Sequence, residues 1–301
     1  MPDGPVIGAA AALGSAFSWA LGTILFKRIG ESMSPLAMTL AKAVVSVVFL
    51  GIALLFLGFT AIRAEDFWWL AGSGIVGIAV GDTLFFAALQ HLGPQTLVVL
   101  MMVGQVLTAL LALVFLGERP SPKAWVGIAC VIAGVMIVLR ANLSGERQRS
   151  HARGIVLGLL SIGCMAVSLI MAKQGLGSGS EGGGTMQETM QGTCVRMLAG
   201  ACGMALYGLL TGKLRAWAAE GRDARLAGSF LGAVCVVTFG GFWLSLLAIR
   251  HVDVAIANTL NSMEPVFVLP LAAIFLREKV TAQQVFGTVV SLGGVVLLCI
   301  R

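Results

Sequence analysis

Apolar residues fall in long runs along this chain, and the polar residues between the runs are few and grouped. A helix needs about 20 apolar residues to cross a hydrocarbon layer of ~30 Å. Runs of that kind are predicted at Val6–Phe26, Leu36–Phe59, Phe67–Leu89, Thr96–Leu116 and Pro122–Leu139. Five more are predicted at Gly154–Ala172, Met190–Leu210, Ala227–Ile249, Val254–Leu276 and Ala282–Ile300. Most connections are short and carry helix breakers, such as Ser34–Pro35, Gly93–Pro94 and Gly117–Glu118–Arg119–Pro120. Two are longer. Residues 141–153 are polar and basic and divide the chain near its middle, and Gly175–Thr185 reads GLGSGSEGGGT, a flexible composition.

Composition agrees with this pattern. Of 301 residues, 58% are hydrophobic and 11% charged, whereas a soluble domain is nearer ~45–50% apolar and ~25% charged. The net charge of +6 is scattered between the runs, which excludes a nucleic-acid footprint and suits the loops of a membrane protein. The six cysteines lie within apolar runs without metal-ligand spacing and read as small packing residues. Gly77/Gly81, Gly154/Gly158 and Gly228/Gly232 have the G-x-x-x-G spacing that lets helix backbones approach. Gly127/Gly134 and Gly287/Gly294, spaced by seven, each lie on one face of a helix.

The chain also matches itself. At an offset of 160 residues Gly81 meets Gly241, His91 meets His251, Glu118 meets Glu278, and Gly127 and Gly134 meet Gly287 and Gly294. Nearer the front of each half the offset is 146, so that Leu13, Ser15, Ala20, Ile24 and Lys27 meet Leu159, Ser161, Ala166, Ile170 and Lys173. Beyond the glycine-rich insertion it becomes 154, and Lys42 meets Arg196. Residues 1–140 and 154–301 are therefore predicted to be two five-helix repeats joined by the 141–153 linker. Five is odd, so the second half enters the membrane with the opposite orientation. The predicted fold is an all-α integral membrane protein of ten transmembrane helices in two inverted repeats, an arrangement used by secondary transporters with substrate held near the midplane.

The phrases FLGERPSPKAWVGIACVIAGVMIVL (Phe115–Leu139) and SMEPVFVLPLAAIFLREKVTAQQVFGTVVSLGGVVLL (Ser262–Leu298) each place a glutamate at a helix end, then a short polar loop, then a helix with spaced glycines. This pattern resembles the drug/metabolite transporter superfamily, specifically its ten-helix members with two EamA-type domains. Trp19 and the basic residues early in the second helix of each half, Lys42 and Arg196, fit the same resemblance. It implies a central cavity formed by helices 1–4 and 6–9, peripheral fifth and tenth helices, and alternating access, often as export of amino acids or other metabolites. Arg277 departs from the pattern, standing where the first half has Gly117.

Charged and polar residues inside the runs are the candidates for chemistry, because a charge at membrane depth costs about 2.5–3.5 kcal/mol on insertion scales. Glu264 lies mid-span before Pro265, either as a protonatable group facing a cavity or as a hydrogen-bonded structural carboxyl. Pro265 and Pro270 remove helix bonds, and Asn258, Asn261 and Glu264 share a polar face where the helix is broken. Asp82, beside Thr83, is a cation or proton site or else an ion-pair partner for Lys42 or Arg196. Those two bases either snorkel to the interface or meet an anionic group. Gln105, Trp19 and Trp243 complete the candidate cavity. His91 and His251 read as inherited turn structure.

The function expected is secondary transport of a small organic solute, an amino acid or related metabolite, with protons as a coupling ion and membrane lipid as surroundings. The alternatives are a structural or sensory membrane protein, or a carrier of drugs or sugar-related solutes. H-E-x-x-H, G-x-S-x-G and paired intramembrane aspartates are absent, so an enzyme is not expected. No cofactor, metal or nucleic acid is expected either, and the chain is read as a monomer or weak dimer of the cell (inner) membrane. Two acids and two bases within the spans suit a zwitterion. The turns after odd-numbered helices hold 12 Lys and Arg against 6 on the termini side. The charge rule thus places the termini outside, whereas the resemblance implies cytoplasmic termini.

Overall fold

A computed structural model describes residues 4–104, 106–107, 110, 122–141, 148–176, 186–220, 223–251, 260–277 and 280–299. Regular structure among the described residues is entirely helical. The first half holds α1 (Gly4–Ile29), α2 (Pro35–Leu57), α3 (Ala64–Gly74), a π-helical segment π1 (Ile75–Asp82), α4 (Thr83–Leu92), α5 (Pro94–Met101) and α6 (Pro122–Ala141). The second holds α7 (Gln148–Gly175), α8 (Met186–Leu210), α9 (Leu214–Glu220), α10 (Ala224–Cys235), π2 (Val236–Trp243), α11 (Leu244–His251), α12 (Glu264–Phe275) and α13 (Ala282–Cys299).

Among the described residues, six helices are long and apolar enough to cross a membrane: Val6–Ile29, Pro35–Leu57, Ala64–Leu92, Ser150–Ala172, Gln187–Leu210 and Ala224–Gly241. Shorter apolar helices cover Trp125–Arg140, Glu264–Phe275 and Ala282–Leu297. The predicted fourth and ninth spans lie partly outside the described residues. α7 begins at Gln148, inside the predicted linker, because Gln148, Arg149 and Arg153 are good helix formers that extend the helix past its apolar run. On α2 the buried residues Ala43, Ser46, Leu50 and Leu54 alternate with exposed Val44, Val48, Ile52 and Leu55. A helix that is apolar on its outward face as well suits lipid rather than water.

Turn chemistry explains several ends. Gly93 has φ 79°, a left-handed conformation open to glycine, and Pro94 then starts α5 with its ring at the first helical position. Ser34 caps α2 through Ala37 N–H. The Lys27 ammonium donates to the carbonyls of Leu89 and Gln90 at 2.9 and 2.8 Å, and so caps the last turn of α4. His91 Nδ1 lies 3.0 Å from Ser150 Oγ, a contact between the end of α4 and the first turn of α7. Arg277 adopts φ 54° just past α12.

The chain forms two compact units, each built from both halves of the sequence. The first comprises Met1–Arg28, Ala88–Leu159 and Val236–Arg301. Within it α6 packs along α13, and α5 along α12. A Cβ at Gly294 would lie 2.6 Å from the Gly127 carbonyl, and one at Gly287 2.7 Å from the Gly134 carbonyl. Exchanging equivalent residues of the two halves turns one of these contacts into the other. That reciprocity is the signature of a two-fold pairing of helices. Ala20, Ile24, Val98, Val268 and Ala272 form an apolar core here.

The second unit comprises Ile29–Ala87 and Leu160–Cys235. Here α2 packs along α8, again equivalent helices of the two halves, with α3 and π1 also against α8. Ala43, Leu50, Leu54, Ile78 and Met197 form its core. Gly77 and Gly81 are close-packed against Ser168 and Cys164, and in the first unit Gly154 and Gly158 are packed against Leu92 and Leu100. Gly228 and Gly232 are not, since a Cβ at either would meet nothing within 4 Å. Their spacing is that of a packing motif, but among the described residues no helix lies over their face.

Candidate functional site

The two π-helical segments carry the most distinctive geometry. They fall at equivalent places in the halves to within one residue, and π segments inside α-helices recur at functional sites because the widened turn disturbs the hydrogen-bond ladder. Each is met by a buried serine from the first helix of the opposite half. Ser15 Oγ donates to the Gly241 carbonyl at 2.7 Å in the first unit. Ser161 Oγ donates to the Gly81 carbonyl at 2.9 Å in the second. Ser15 and Ser161 are equivalent, and so are Gly81 and Gly241. The next turn repeats the relation: a Cβ at Gly22 would meet Val237, and a Cβ at Gly77 would meet Ser168. Both pairs exchange under the same equivalence.

In the second unit the charged candidates gather beside π1. Lys42 Nζ binds Asp82 Oδ2 at 2.8 Å, with side chains 11% and 8% exposed. Its ammonium also lies 5.8 Å from the centre of the Phe86 ring. Lys42 is therefore paired inside the protein and does not snorkel. Arg196 Nη2 donates to Ser168 Oγ at 3.2 Å, its Nε is buried without an acceptor among the described residues, and Asp82 is within its electrostatic reach. Ser168 is held in turn by Ser73, whose hydroxyl donates to the Ser168 carbonyl at 2.8 Å. Thr83 Oγ1 lies 2.7 Å from the Ala79 carbonyl and 2.9 Å from Thr39 Oγ1, which ties the start of α4, just past π1, to α2.

In the first unit Glu264 opens α12, with Pro265 following it. Its Oε1 lies 3.3 Å from Thr23 Oγ1, and that same hydroxyl lies 3.0 Å from the Trp19 carbonyl. Asn261 Nδ2 donates to Ser245 Oγ at 2.8 Å, while its Oδ1 is buried without a partner among the described residues. The Trp19 ring covers Gly241, where a Cβ would lie 2.8 Å from Trp19 Cε2. Gln105, Asn258 and the Trp243 side chain lie outside what is described. The sequence reading missed Ser15, Ser161, Ser168, Thr23 and Thr39. Of these, Ser15 and Ser161 were detectable as a polar pair conserved between the halves.

A family model described as the EamA-like transporter family matches residues 6–140 and again residues 152–300. The chain belongs to the EamA-like transporter family. It is accordingly a multi-pass membrane protein of the transporter class. A protein of Archaeoglobus fulgidus, named "Uncharacterized transporter", is 40% identical over 48 residues, 16% of this chain and 17% of that relative. The chain thus aligns with about a sixth of that relative's length. A solved structure described as "Crystal structure of protein" is similar with a TM-score of 0.62 and 17% identity, covering 98% of this chain and 95% of that one, which establishes likeness of fold. The four intramembrane charges do not form one balanced set within a unit: Lys42, Asp82 and Arg196 belong to the second and Glu264 to the first.

Proposed function

We propose that this EamA-like protein is a secondary transporter that moves a small organic solute, an amino acid or related metabolite, across the cell (inner) membrane by alternating access. Ten spans in two inverted five-helix repeats, residues 1–140 and 154–301 joined by the 141–153 segment, would supply the two opposed halves that such a cycle needs. The observation that carries this reading is the reciprocal pair Ser15→Gly241 and Ser161→Gly81. Each half sends a serine to a π-helical carbonyl of the other, the interlock expected of a machine whose two faces work alternately. Export is the favoured direction, and the protein acts as a monomer or weak dimer.

Protons are the proposed coupling ion, with Glu264 as their carrier. A hydroxyl has one proton, and the usual helix bond gives that of Thr23 to the Trp19 carbonyl. Turned from that bond, the same hydroxyl donates to Glu264 Oε1 at 3.3 Å, so the carboxyl has a polar partner in the protein. Uptake of labelled amino acids into liposomes carrying the purified protein, with and without a pH gradient, tests this. Saturable flux that responds to the gradient, and loses that response in Glu264→Gln, is the expected result. Flux that keeps its gradient response in the variant would remove Glu264 from coupling.

A further inference from the structure

We propose that Arg196 is an anion subsite that binds the carboxylate of the transported solute; the identity of that ligand as cargo rests on the carrier reading above. The argument begins with a charge count inside the second unit. Asp82 is already committed to Lys42 at 2.8 Å. The other described carboxylates of this unit, Glu31, Glu65, Asp66, Glu188, Glu220 and Asp223, lie at helix ends or in turns. Glu65 faces Arg63 at 3.6 Å on the exposed surface, Glu220 accepts from Ser34 at 2.7 Å, and Asp66 and Glu188 line a pocket beside Thr60. Beside π1 two cations therefore share one carboxylate, and the excess is one positive charge. An unneutralised charge at this depth is costly, and such residues as a rule mark substrate or ion paths.

The sequence repeat carries the same imbalance between bases and acids. Lys42 and Arg196 are equivalent, and Lys42 takes its partner from position 82 on the following span. The equivalent of position 82 in the second half is 242, which is Phe. In sequence, the first half thus matches its base with an acid, while the second half keeps the base and has Phe at the matching position. Ser168, which Arg196 does reach, is neutral and already donates to the Ser73 carbonyl at 2.8 Å. Its lone pair orients the guanidinium without neutralising it.

Local packing brings Arg196 close against α3 and π1. The Arg196 carbonyl occupies the space a Cβ at Gly74 would need, and a Cβ at Gly77 would lie 3.8 Å from Nη2. Gly74 therefore admits the α8 backbone at Arg196, and Gly77 lies in ordinary contact with the guanidinium. Arginine suits the role because its planar fork matches a carboxylate in a bidentate manner and stays charged. One excess charge is balanced by one carboxylate, whereas a dianionic phosphate would overshoot it.

The test is the thermal unfolding midpoint of the purified full-length protein in detergent, titrated with sodium butyrate, with butyramide, or with sodium chloride at equal ionic strength. Butyrate is expected to raise the midpoint of the wild type beyond either control, and this excess is expected to vanish in Arg196→Gln. Loss of a charge-assisted hydrogen bond corresponds to an apparent affinity weaker by about tenfold or more. Arg196→Lys is expected to retain part of the butyrate effect. Without ligand, Arg196→Gln is expected to be at least as stable as the wild type, since it removes an uncompensated charge. A butyrate effect equal to that of butyramide, or an unliganded Arg196→Gln protein clearly less stable than the wild type, would overturn the proposal. Solute flux is a separate readout: a carboxylate effect without any flux keeps the subsite and removes the carrier reading.

Discussion

Lys42 and Asp82 show how one residue pair decides stability in this protein. Both side chains are nearly out of contact with the surroundings, and each satisfies the other at 2.8 Å. Removing one partner of such a pair leaves a buried charge uncompensated, at a cost of roughly 3–5 kcal/mol, whereas replacing both is often neutral. Lys42→Met and Asp82→Asn are therefore each expected to lower the thermal unfolding midpoint strongly, and the double variant to recover most of the loss. Additive losses in the double variant would contradict this account. The sequence already showed that these charges needed partners, because both fall within apolar runs. It could not tell whether Asp82 would choose Lys42 or Arg196. That choice depends on the path of α2 beside π1, and residues 40 positions apart carry no local signal of their distance.

Elements were more legible than pairs. The predicted starts of the runs at Leu36, Phe67, Pro122 and Ala282 fall within three residues of helix starts at Pro35, Ala64, Pro122 and Ala282. What apolar periodicity could not show is which glycines meet another helix. Gly287 and Gly228 look alike in sequence, yet a Cβ at Gly287 would lie 2.7 Å from the Gly134 carbonyl while one at Gly228 meets open space. Gly287→Val is therefore expected to destabilise the α6–α13 pairing by about 1–3 kcal/mol, as overpacking does. Gly228→Val, with room to spare, is expected to stay within ~0.5 kcal/mol of the wild type. Thermal midpoints of the two variants side by side check this, and equal losses would count against the packing described. The π segments were invisible too. Ile75–Asp82 and Val236–Trp243 have the apolar composition of their neighbours, and their geometry follows from hydrogen bonding that composition does not encode.

At the scale of the whole molecule, the repeat was the most informative sequence feature. Its offsets paired Ser15 with Ser161 and Gly81 with Gly241, and the structure turns those equivalences into reciprocal hydrogen bonds. The compact units were not legible, because each takes helices from both halves and so follows spatial packing rather than chain order. The transport proposed above requires cycling between two faces, and carriers and channels differ in whether such a cycle limits flux. The most direct measurement is counterflow in liposomes containing the purified protein, preloaded with an unlabelled amino acid from the panel that shows saturable uptake. Transient accumulation of the labelled solute above its equilibrium level, driven only by the unlabelled solute inside, is the result this account requires. Labelled solute that only equilibrates, at a rate linear in concentration and indifferent to preloading, would contradict alternating access.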